Sequence, residues 1–425
     1  MKINNLKAIL LGLASAVLLI SCENDTVKPQ TENPPDQTEN PPTQPEAPPT
    51  SPRTPIQESK IVSSANDFAF RVFAALRKEG QTENLFISPL GISSTLTMAL
   101  NGANGSTKEA MRQTLGFEQQ TDEEINQFFK NMQVLMKGQD EKVTFTSANS
   151  IWHDKIWELQ PAFLQQNQDY FGATIQGLDF KDPGAKNVIN DWAKEKTQGK
   201  IENIVQKIPD DAIMYLINAI YFKATWTYPF EKSRTRKIDF RKEDGSTTLV
   251  DMMTRSIGKY LYYQDADKEV INLPYGSGQF SMTLIVPSTQ NTVSNLNLEL
   301  SSSQLNNWLT KADTTWRGLS LPKFKMESNK KLNDVLTQLG MGEAFLDGAN
   351  FSRMLEQDIN SKISEVAQKT FVIVNEEGTE AAAVSTSVTT PSSLPPTIYV
   401  DRPFIFLIRE KSTNAIIFIG QMMNP

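Results

Sequence analysis

The most informative stretch of this sequence runs Asn375-Glu376-Glu377-Gly378-Thr379-Glu380-Ala381-Ala382-Ala383, and mostly small residues follow it as far as Ser387. No proline occurs between this stretch and Pro391. A strand in the middle of a sheet needs every backbone N–H for its ladder, so it excludes proline. Alternate residues of a strand face the same side, and here those residues are small: Thr379, Ala381, Ala383, Ser385 and Ser387. The pattern fits a spare strand that enters a crowded sheet, with Gly378 free to turn; a flexible surface loop is the alternative that composition leaves open.

The composition is that of an ordinary globular protein, with 39% hydrophobic and 21% charged residues among 425. About the first 57 residues do not look globular, and the rest suffice for one large domain or two smaller ones. The net charge is −7 and no long basic run occurs. We therefore do not expect nucleic acid as a partner.

Cysteine and histidine are almost absent, with Cys22 and His153 as the single examples. A Cys/His zinc site needs several such ligands, so we predict neither a metal nor a cofactor. A Ser-His-Asp or Cys-His catalytic set would have to use His153. His153 follows an alternating apolar stretch, and we interpret it as a strand-end or surface residue. We therefore do not expect an enzyme.

The N-terminus has the features of a bacterial lipoprotein signal. Two lysines precede an apolar run over 8–20 that is too short to span a bilayer comfortably. The run ends Leu19-Ile20-Ser21-Cys22, which resembles a lipobox. The resemblance implies a signal peptide over 1–21 and acyl chains on Cys22. These would anchor the protein to the outer membrane, the cell surface or the periplasmic face; an ordinary signal peptide, giving an extracellular protein, is the alternative.

Residues 22–57 are predicted to form a spacer. The segment is rich in Pro, Thr, Glu, Asn and Gln, and the motif Gln-Thr-Glu-Asn-Pro-Pro occurs at 30–35 and again at 37–42. Such a composition cannot bury enough apolar area to offset its ordering entropy. Proline keeps the chain extended, so we expect the segment to hold the folded domain, residues 58–425, away from a membrane.

Helical periodicity predominates early in that domain and strand patterns late. Helical spacing is found over 61–76, 89–100, 122–137, 161–170, 185–196 and 331–340. Strand patterns are found over 143–152, 212–222, 247–253, 259–264, 269–273, 280–286, 398–400, 404–408 and 416–419. This order predicts one α+β domain with large, mainly antiparallel sheets.

A set of motifs resembles those of the serpin family. They are the hinge motif at 375–383, Asn84-Leu85-Phe86-Ile87-Ser88-Pro89, Thr197 with Gly199-Lys200-Ile201, Asn218-Ala219-Ile220-Tyr221-Phe222-Lys223-Ala224-Thr225-Trp226 with Pro229-Phe230, Leu273-Pro274-Tyr275, Leu321-Pro322-Lys323-Phe324, Leu339-Gly340-Met341, Asp401-Arg402-Pro403-Phe404 and Asn424-Pro425. They occur in family order from about residue 61 to the C-terminus. The resemblance implies the serpin fold, with a large central sheet called sheet A, eight or nine helices and an exposed reactive loop over 376–397.

The resemblance also implies a mechanism. A target serine protease cuts the loop and forms an acyl-enzyme. The loop then inserts into sheet A as an added strand and carries the protease with it, so the target is trapped covalently. A cysteine protease is the alternative target class, and we expect a monomeric inhibitor.

Family spacing locates the reactive bond. If Glu376 is the seventeenth residue before the cut, the bond joins Ser392 to Ser393. Small residues precede it, and no Lys or Arg lies between Gly378 and Asp401. Elastase-like and subtilisin-like proteases are therefore the preferred targets, with cleavage after 388, 389 or 390 as the alternative.

Some positions depart from the family pattern. The breach and shutter regions under the sheet would contain Ser88, Asn218, Trp226 and Gln368, where Gln368 replaces a common histidine. A second common serine is Gly91 here. An amide still donates and accepts hydrogen bonds, so we expect a rewired cluster. The 122–137 helix lacks a basic cluster, and we do not expect heparin to bind it.

Two other functions compete with inhibition. A non-inhibitory serpin that acts as a chaperone or binding module is one, and a surface adhesin in which the loop is incidental is the other. The small, proline-free hinge favours the inhibitor.

Overall fold

The computed structural model describes residues 60–80, 82–137, 140–294, 300–356, 361–379 and 396–425. Three sets of predicted functional residues lie outside these ranges: the anchor Cys22, hinge residues 380–383, and the reactive bond between Ser392 and Ser393. Within the described ranges, no helix combines the length and the apolar character that a membrane span requires.

Eight α-helices occur in the described part of the chain. They are α1 (Lys60–Glu79), α2 (Pro89–Leu100), α3 (Gly105–Leu115), α4 (Asp122–Met136), α5 (Pro161–Phe171), α6 (Ala185–Lys196), α7 (Ser302–Lys311) and α8 (Asn333–Leu336). Local sequence explains several boundaries. Helix α2 begins at Pro89 behind the N-cap Ser88, and Thr121 and Glu124 form a capping box at the start of α4.

The larger sheet has nine strands, eight on its main path and one beside it. These are β1 (Leu85–Ile87), β6 (Thr247–Gln264), β7 (Lys268–Tyr275), β8 (Phe280–Pro287), β9 (Asp313–Pro322), β13 (Thr397–Tyr399), β14 (Phe404–Glu410) and β15 (Ile416–Met422), with β5 (Arg236–Arg241) paired to β6. Most pairs are antiparallel, but β13 runs parallel to β9. The sheet therefore places the strand that follows the reactive loop, β13, at its edge.

The smaller sheet has six strands in the order β10-β11-β12-β4-β2-β3. Their bounds are β2 (Val143–Asp154), β3 (Thr174–Leu178), β4 (Met214–Thr225), β10 (Phe324–Lys331), β11 (Glu365–Val374) and β12 (Gly378–Thr379). Strand β12 contains the start of the hinge. This six-stranded sheet is therefore the one that corresponds to the predicted central sheet.

Two apolar clusters cover the two faces of the six-stranded sheet. The larger includes Phe222 and Ile220 of β4 together with residues of α1, α2 and the nine-stranded sheet. The smaller places Trp192 of α6 against Trp152 and residues of β4 such as Tyr215. Burial on both faces explains why β4 is an almost unbroken apolar run.

Two predictions of local structure were wrong in detail. The runs over 247–253 and 259–264 form one strand, β6, with a register shift between Arg255 and Gly258. The predicted helix over 331–340 begins only at Asn333, because Lys331 is the last paired residue of β10. Helices α3 and α7, and several strands, were not predicted. One α+β domain with large, mainly antiparallel sheets was predicted, and the structure confirms this architecture.

Candidate functional site

The hinge enters the six-stranded sheet as the first two residues of a new strand. Gly378 lies opposite Thr225 of β4, and Thr379 lies opposite Ala224, both in antiparallel register. On its other side Thr379 lies opposite Val374 of β11, also antiparallel. Strand β12 therefore separates β4 from β11 at this end of the sheet.

Beyond the hinge, β4 and β11 pair directly with each other. The register joins five residue pairs in parallel, from Glu365 opposite Tyr215 to Lys369 opposite Ala219. We call this contact the seam. The sheet is thus parted at the hinge end and closed along the seam.

Glycine is required at position 378. Its φ is 153°, a conformation that residues with a Cβ rarely adopt. A Cβ at this position would overlap the carbonyl oxygen of Ala224 and lie 2.6 Å from Thr225 Cα. The close approach to β4 is therefore possible only without a side chain.

Thr379 is fully buried, and its hydroxyl has a specific partner. Its Oγ1 lies 2.7 Å from the phenolic oxygen of Tyr275. Burial raises the pKa of Tyr275, so the phenol remains protonated and able to hydrogen bond. The Tyr275 ring stacks on Trp226 at 4.3 Å between centroids. Trp226, predicted as a site residue, therefore packs against the tyrosine whose hydroxyl contacts the inserted hinge residue.

Three successive carbonyls of the hinge turn are hydrogen-bonded to the segment after β4. The Trp226 backbone N–H donates to Glu377 O at 2.8 Å, and its indole Nε1–H donates to Asn375 O at 2.9 Å. The Phe230 N–H donates to Glu376 O at 2.8 Å. Within the turn, Asn375 Oδ1 accepts from the N–H of Glu377 and of Gly378. The hinge turn is therefore held against the segment after β4 mainly through its own backbone carbonyls.

Both glutamates of the hinge form ion pairs. Glu376 is 4% exposed; it accepts a 2.7 Å hydrogen bond from Thr235 Oγ1 and pairs with Lys323 Nζ at 3.1 Å. Burial alone would raise the pKa of Glu376, but hydrogen bonds from Thr235, from its own backbone amide and from Lys323 together outweigh burial, and the pKa lies below its usual value. Glu377 pairs with Lys232, whose side chain is largely exposed. Of the two, the buried Glu376 contributes more to holding the hinge in place.

Gln368 is bonded to the start of helix α2 beneath the seam. Its Oε1 accepts from Ser88 N–H, and its Nε2–H donates to Ser88 O, both at 2.8 Å. The Ser88 hydroxyl donates to Ile417 O at 2.7 Å. The glutamine side chain thus replaces a histidine by satisfying a donor and an acceptor of one buried residue.

Asn218 lies opposite Gln368 across the seam but bonds to the other side. Its Nδ2–H donates to Asn149 Oδ1 at 2.9 Å and is 3.4 Å from Ser147 Oγ, both in β2. Its Oδ1 is buried with no hydrogen-bond partner among the described residues. The side-chain bonds of this cluster therefore do not bridge the seam between Gln368 and Asn218.

Gly91 makes room for that asparagine. A Cβ on Gly91 would overlap Asn218 Oδ1 and lie 2.9 Å from Asn218 Cγ. A serine at this position does not fit with the present asparagine conformation. The two departures from the family pattern, at 91 and 368, therefore lie in one cluster.

Sequence reasoning assigned no role to four residues that hold the hinge: Tyr275, Lys323, Thr235 and Lys232. Two of them, Tyr275 and Lys323, stand in motifs that the sequence displays. Their distance from the hinge along the chain concealed the contacts. Of the predicted residues, the structure places Glu376, Glu377, Gly378 and Thr379 against the end of β4 and the segment that follows it, where Glu377 O accepts from Trp226 N–H. It also brings Ser88 to Gln368.

The start of the hinge thus occupies a strand position at one end of the six-stranded sheet, while the rest of the seam between β4 and β11 is closed. Comparison with known proteins shows the family to which the chain belongs. A family model described as "Serpin (serine protease inhibitor)" matches residues 63–425. The chain belongs to the serpin family.

Individual relatives agree with this membership. A serpin-like protein of Thermococcus kodakarensis is 33% identical over 377 residues, which cover 87% of each chain. The leukocyte elastase inhibitor of Homo sapiens is 32% identical and covers 86% of this chain and 99% of its own. The native-state crystal structure of tengpin, a thermophilic serpin, superposes with a TM-score of 0.80 at 34% identity, covering 87% of this chain and 95% of that one.

Proposed function

We propose that the protein is an inhibitory serpin that traps serine endopeptidases with a shallow specificity pocket, elastase-like or subtilisin-like. One observation carries the proposal: Gly378 and Thr379 already occupy the antiparallel position between β4 and β11. The loop that follows needs only to continue in the same direction to become a complete central strand.

The register of the first two residues predicts the rest of the inserted strand. Continued without a shift, it would place Ala381 opposite Val372 and Phe222, and Ala383 opposite Thr370 and Ile220. All four strand residues face the buried side, at 9% exposure or less. Alanine is small enough to enter between such neighbours without overpacking the core.

Insertion of the loop into the six-stranded sheet is expected to be energetically favourable. The seam now has one parallel ladder over five residue pairs. An inserted strand would replace it with two antiparallel ladders, one to β4 and one to β11, and antiparallel pairs are slightly more stable per residue. The uncut chain cannot complete this exchange while both ends of its loop are held in sheets, so cleavage is the step that releases it.

The chemistry is that of an interrupted proteolysis. The protease serine Oγ attacks the carbonyl carbon of Ser392, the peptide bond to Ser393 breaks, and the amine of Ser393 leaves with a proton from the catalytic histidine. The protease remains as an ester on Ser392. If the loop inserts before water attacks this ester, the protease is carried away from its working geometry and stays bound.

The test is to mix the full chain with an elastase-like and with a subtilisin-like protease and run a denaturing gel. A band at the summed mass, together with a higher unfolding temperature of the cleaved inhibitor, is expected. Complete cleavage without that band would contradict the proposal and favour a non-inhibitory serpin. Mass spectrometry of the released peptide maps the bond, for which Ser392–Ser393 is expected.

We further propose that Cys22 carries acyl chains that tether the protein to a bacterial membrane. The sole cysteine follows the apolar run of the leader after a single serine, Ser21, and two or more acyl chains give firm anchoring. In the native host, Cys22→Ser is expected to move the protein from the membrane fraction to the soluble fraction. Unchanged membrane association of that variant would refute the tether.

A further inference from the structure

Two exposed aromatic side chains lie on one face of the strands that receive the end of the reactive loop. Seven large hydrophobic residues of the described chain are exposed, and only Trp316 and Tyr399 among them are aromatic, at 44% and 52% exposure. Isolated exposed aliphatic residues are common and need no explanation. Two exposed aromatic rings on adjacent strands indicate a binding surface more strongly, because Trp and Tyr are enriched among the residues that carry most of the binding energy in protein interfaces.

The strand register places these rings on the same face. Tyr399 of β13 lies opposite Ser320 of β9, and Thr397 lies opposite Gly318. Since alternate residues of a strand share a face, Trp316 lies on the face of Gly318 and Ser320. The two rings are therefore separated by about 13 Å along β9, four residues at about 3.3 Å each.

Small residues lie between the two rings. A Cβ on Gly318 would overlap the hydroxyl oxygen of Thr397, so glycine lets Thr397 lie close against β9. The two aromatic rings are therefore separated by a strip of small side chains packed closely against β9. We call this surface, made of Trp316, Gly318, Thr397 and Tyr399, the β9–β13 trough.

A cation borders one end of the trough. Lys259 of β6 lies directly opposite Trp316, and its Nζ is 6.0 Å from the centroid of the indole ring. No carboxylate of the described residues forms an ion pair with it. The surface thus offers two aromatic rings and one available positive charge.

The length of the loop decides what meets this trough. Thr397 is fixed in the sheet, and it follows Ser393 by only four residues. Four residues span at most about 14 Å when fully extended. A protease that binds the reactive bond must therefore lie within that distance of Thr397, and the trough lies beside it.

We infer that the β9–β13 trough is a second contact surface for the target protease, outside the reactive loop. Its partner is the protease surface beside the part of the cleft that holds residues after the cut, with apolar side chains against the two rings and a carboxylate facing Lys259. The inference rests on the proposed inhibitory function and on the position of the reactive bond. The trough would raise affinity for the intact protease and so select among proteases with similar pockets.

The test measures binding without cleavage. Elastase-like and subtilisin-like proteases, each with the active-site serine replaced by alanine, are titrated with the full chain, and the dissociation constant is measured. For at least one of them, Trp316→Ser combined with Tyr399→Ser is expected to weaken binding at least tenfold. Lys259→Glu should weaken it as well and should reduce its dependence on salt.

A matched control uses another exposed hydrophobic residue. Leu346 is 63% exposed, and Leu346→Ser should leave the dissociation constant within twofold. Equal binding of the double variant and this control, or no binding of either inert protease by the unaltered chain, would overturn the inference. Self-association that the double variant abolishes would assign the trough to a second copy and would also overturn it.

This experiment is separable from the test of trapping. If active protease cuts the chain without forming a covalent band, the inhibitory function fails. The inert proteases still report whether the trough contributes to binding. Melting temperatures of the variants verify that each is folded.

Discussion

Replacing Thr379 with arginine is the most direct test of the hinge. Thr379 is fully buried between β4 and β11, with its hydroxyl 2.7 Å from that of Tyr275. An arginine in this position would place a positive charge at a fully buried site, next to the Tyr275 hydroxyl. We expect the Thr379→Arg hinge to leave the sheet, so that the loop is still cut and the protease is no longer trapped.

The size of the effect follows from the cost of an unpaired buried charge, on the order of 3–5 kcal/mol. At about 1.4 kcal/mol for each factor of ten, insertion would slow by roughly two to four orders of magnitude if the whole cost appears in the transition state. Thr379 lies at the end of the sheet, where an arginine can extend its charge toward water. We therefore expect the lower limit, about a hundredfold. Hydrolysis of the acyl-enzyme would then be faster than insertion of the loop, and little covalent complex would accumulate.

The assay is the yield of covalent complex on a denaturing gel, measured beside the amount of cleaved inhibitor. Thr379→Ser is the matched control, because it keeps the hydroxyl that meets Tyr275 and introduces no charge. Its complex yield should stay close to that of the unaltered chain. An undiminished yield for Thr379→Arg would show that entry of this residue is not required, and the hinge assignment would fall.

Three further changes test the hinge and the buried cluster beneath the seam. Gly378→Ala should expel β12, since its Cβ would overlap the Ala224 carbonyl oxygen; we expect lower trapping and faster hydrogen exchange at the Thr379 amide, and unaltered exchange would contradict this. Glu376 has a lowered pKa in the folded state, so its stabilisation is complete above its ordinary pKa of 4.5 and is lost as the pH falls through the lower folded value. The melting temperatures of the unaltered chain and Glu376→Gln should therefore differ at pH 7 and converge at low pH; a constant difference would refute this. Gly91→Ser should destabilise the fold by about 1–3 kcal/mol through overpacking, measured by denaturant unfolding, and no loss would mean that the buried cluster adjusts freely.

The hinge was predictable because its signal is local. Small residues from Thr379 onward and the absence of proline are properties of one continuous segment. The contacts that hold it were not predictable in this way. Glu376 meets Lys323 and Thr235, which are 53 and 141 residues away along the chain. Only the strand register brings such residues together.

The errors in local structure have the same origin. The predicted break in β6 coincides with Gly258, yet the glycine keeps the strand continuous by making room for Tyr260, whose Cζ would lie 2.5 Å from a Cβ there. Lys331 has helical neighbours in sequence but pairs with Ala367 of β11. In both cases a neighbouring strand or side chain overrides the local pattern.

The departures from the family pattern bear on how readily the sheet opens. For the loop to insert, β4 and β11 must separate, and Gln368 must move away from Asn218, which lies opposite it. Gln368 is bonded to Ser88 on the helix side, whereas Asn218 is bonded to Asn149 on the β2 side.

Within the described residues, no side-chain hydrogen bond joins Gln368 to Asn218. Opening the seam at this point therefore breaks the main-chain ladder but leaves both side chains with their present partners. An inserted residue would meet the free acceptor of Asn218, its Oδ1, which now has no donor. A buried acceptor without a donor costs about 1–3 kcal/mol, so a hydroxyl-bearing residue at this level of the inserted strand would relieve a cost that the native state carries. If the register of Gly378 and Thr379 continued into an inserted strand, Ser385 would reach that level, and we expect its hydroxyl to donate to Asn218 Oδ1 when insertion is complete.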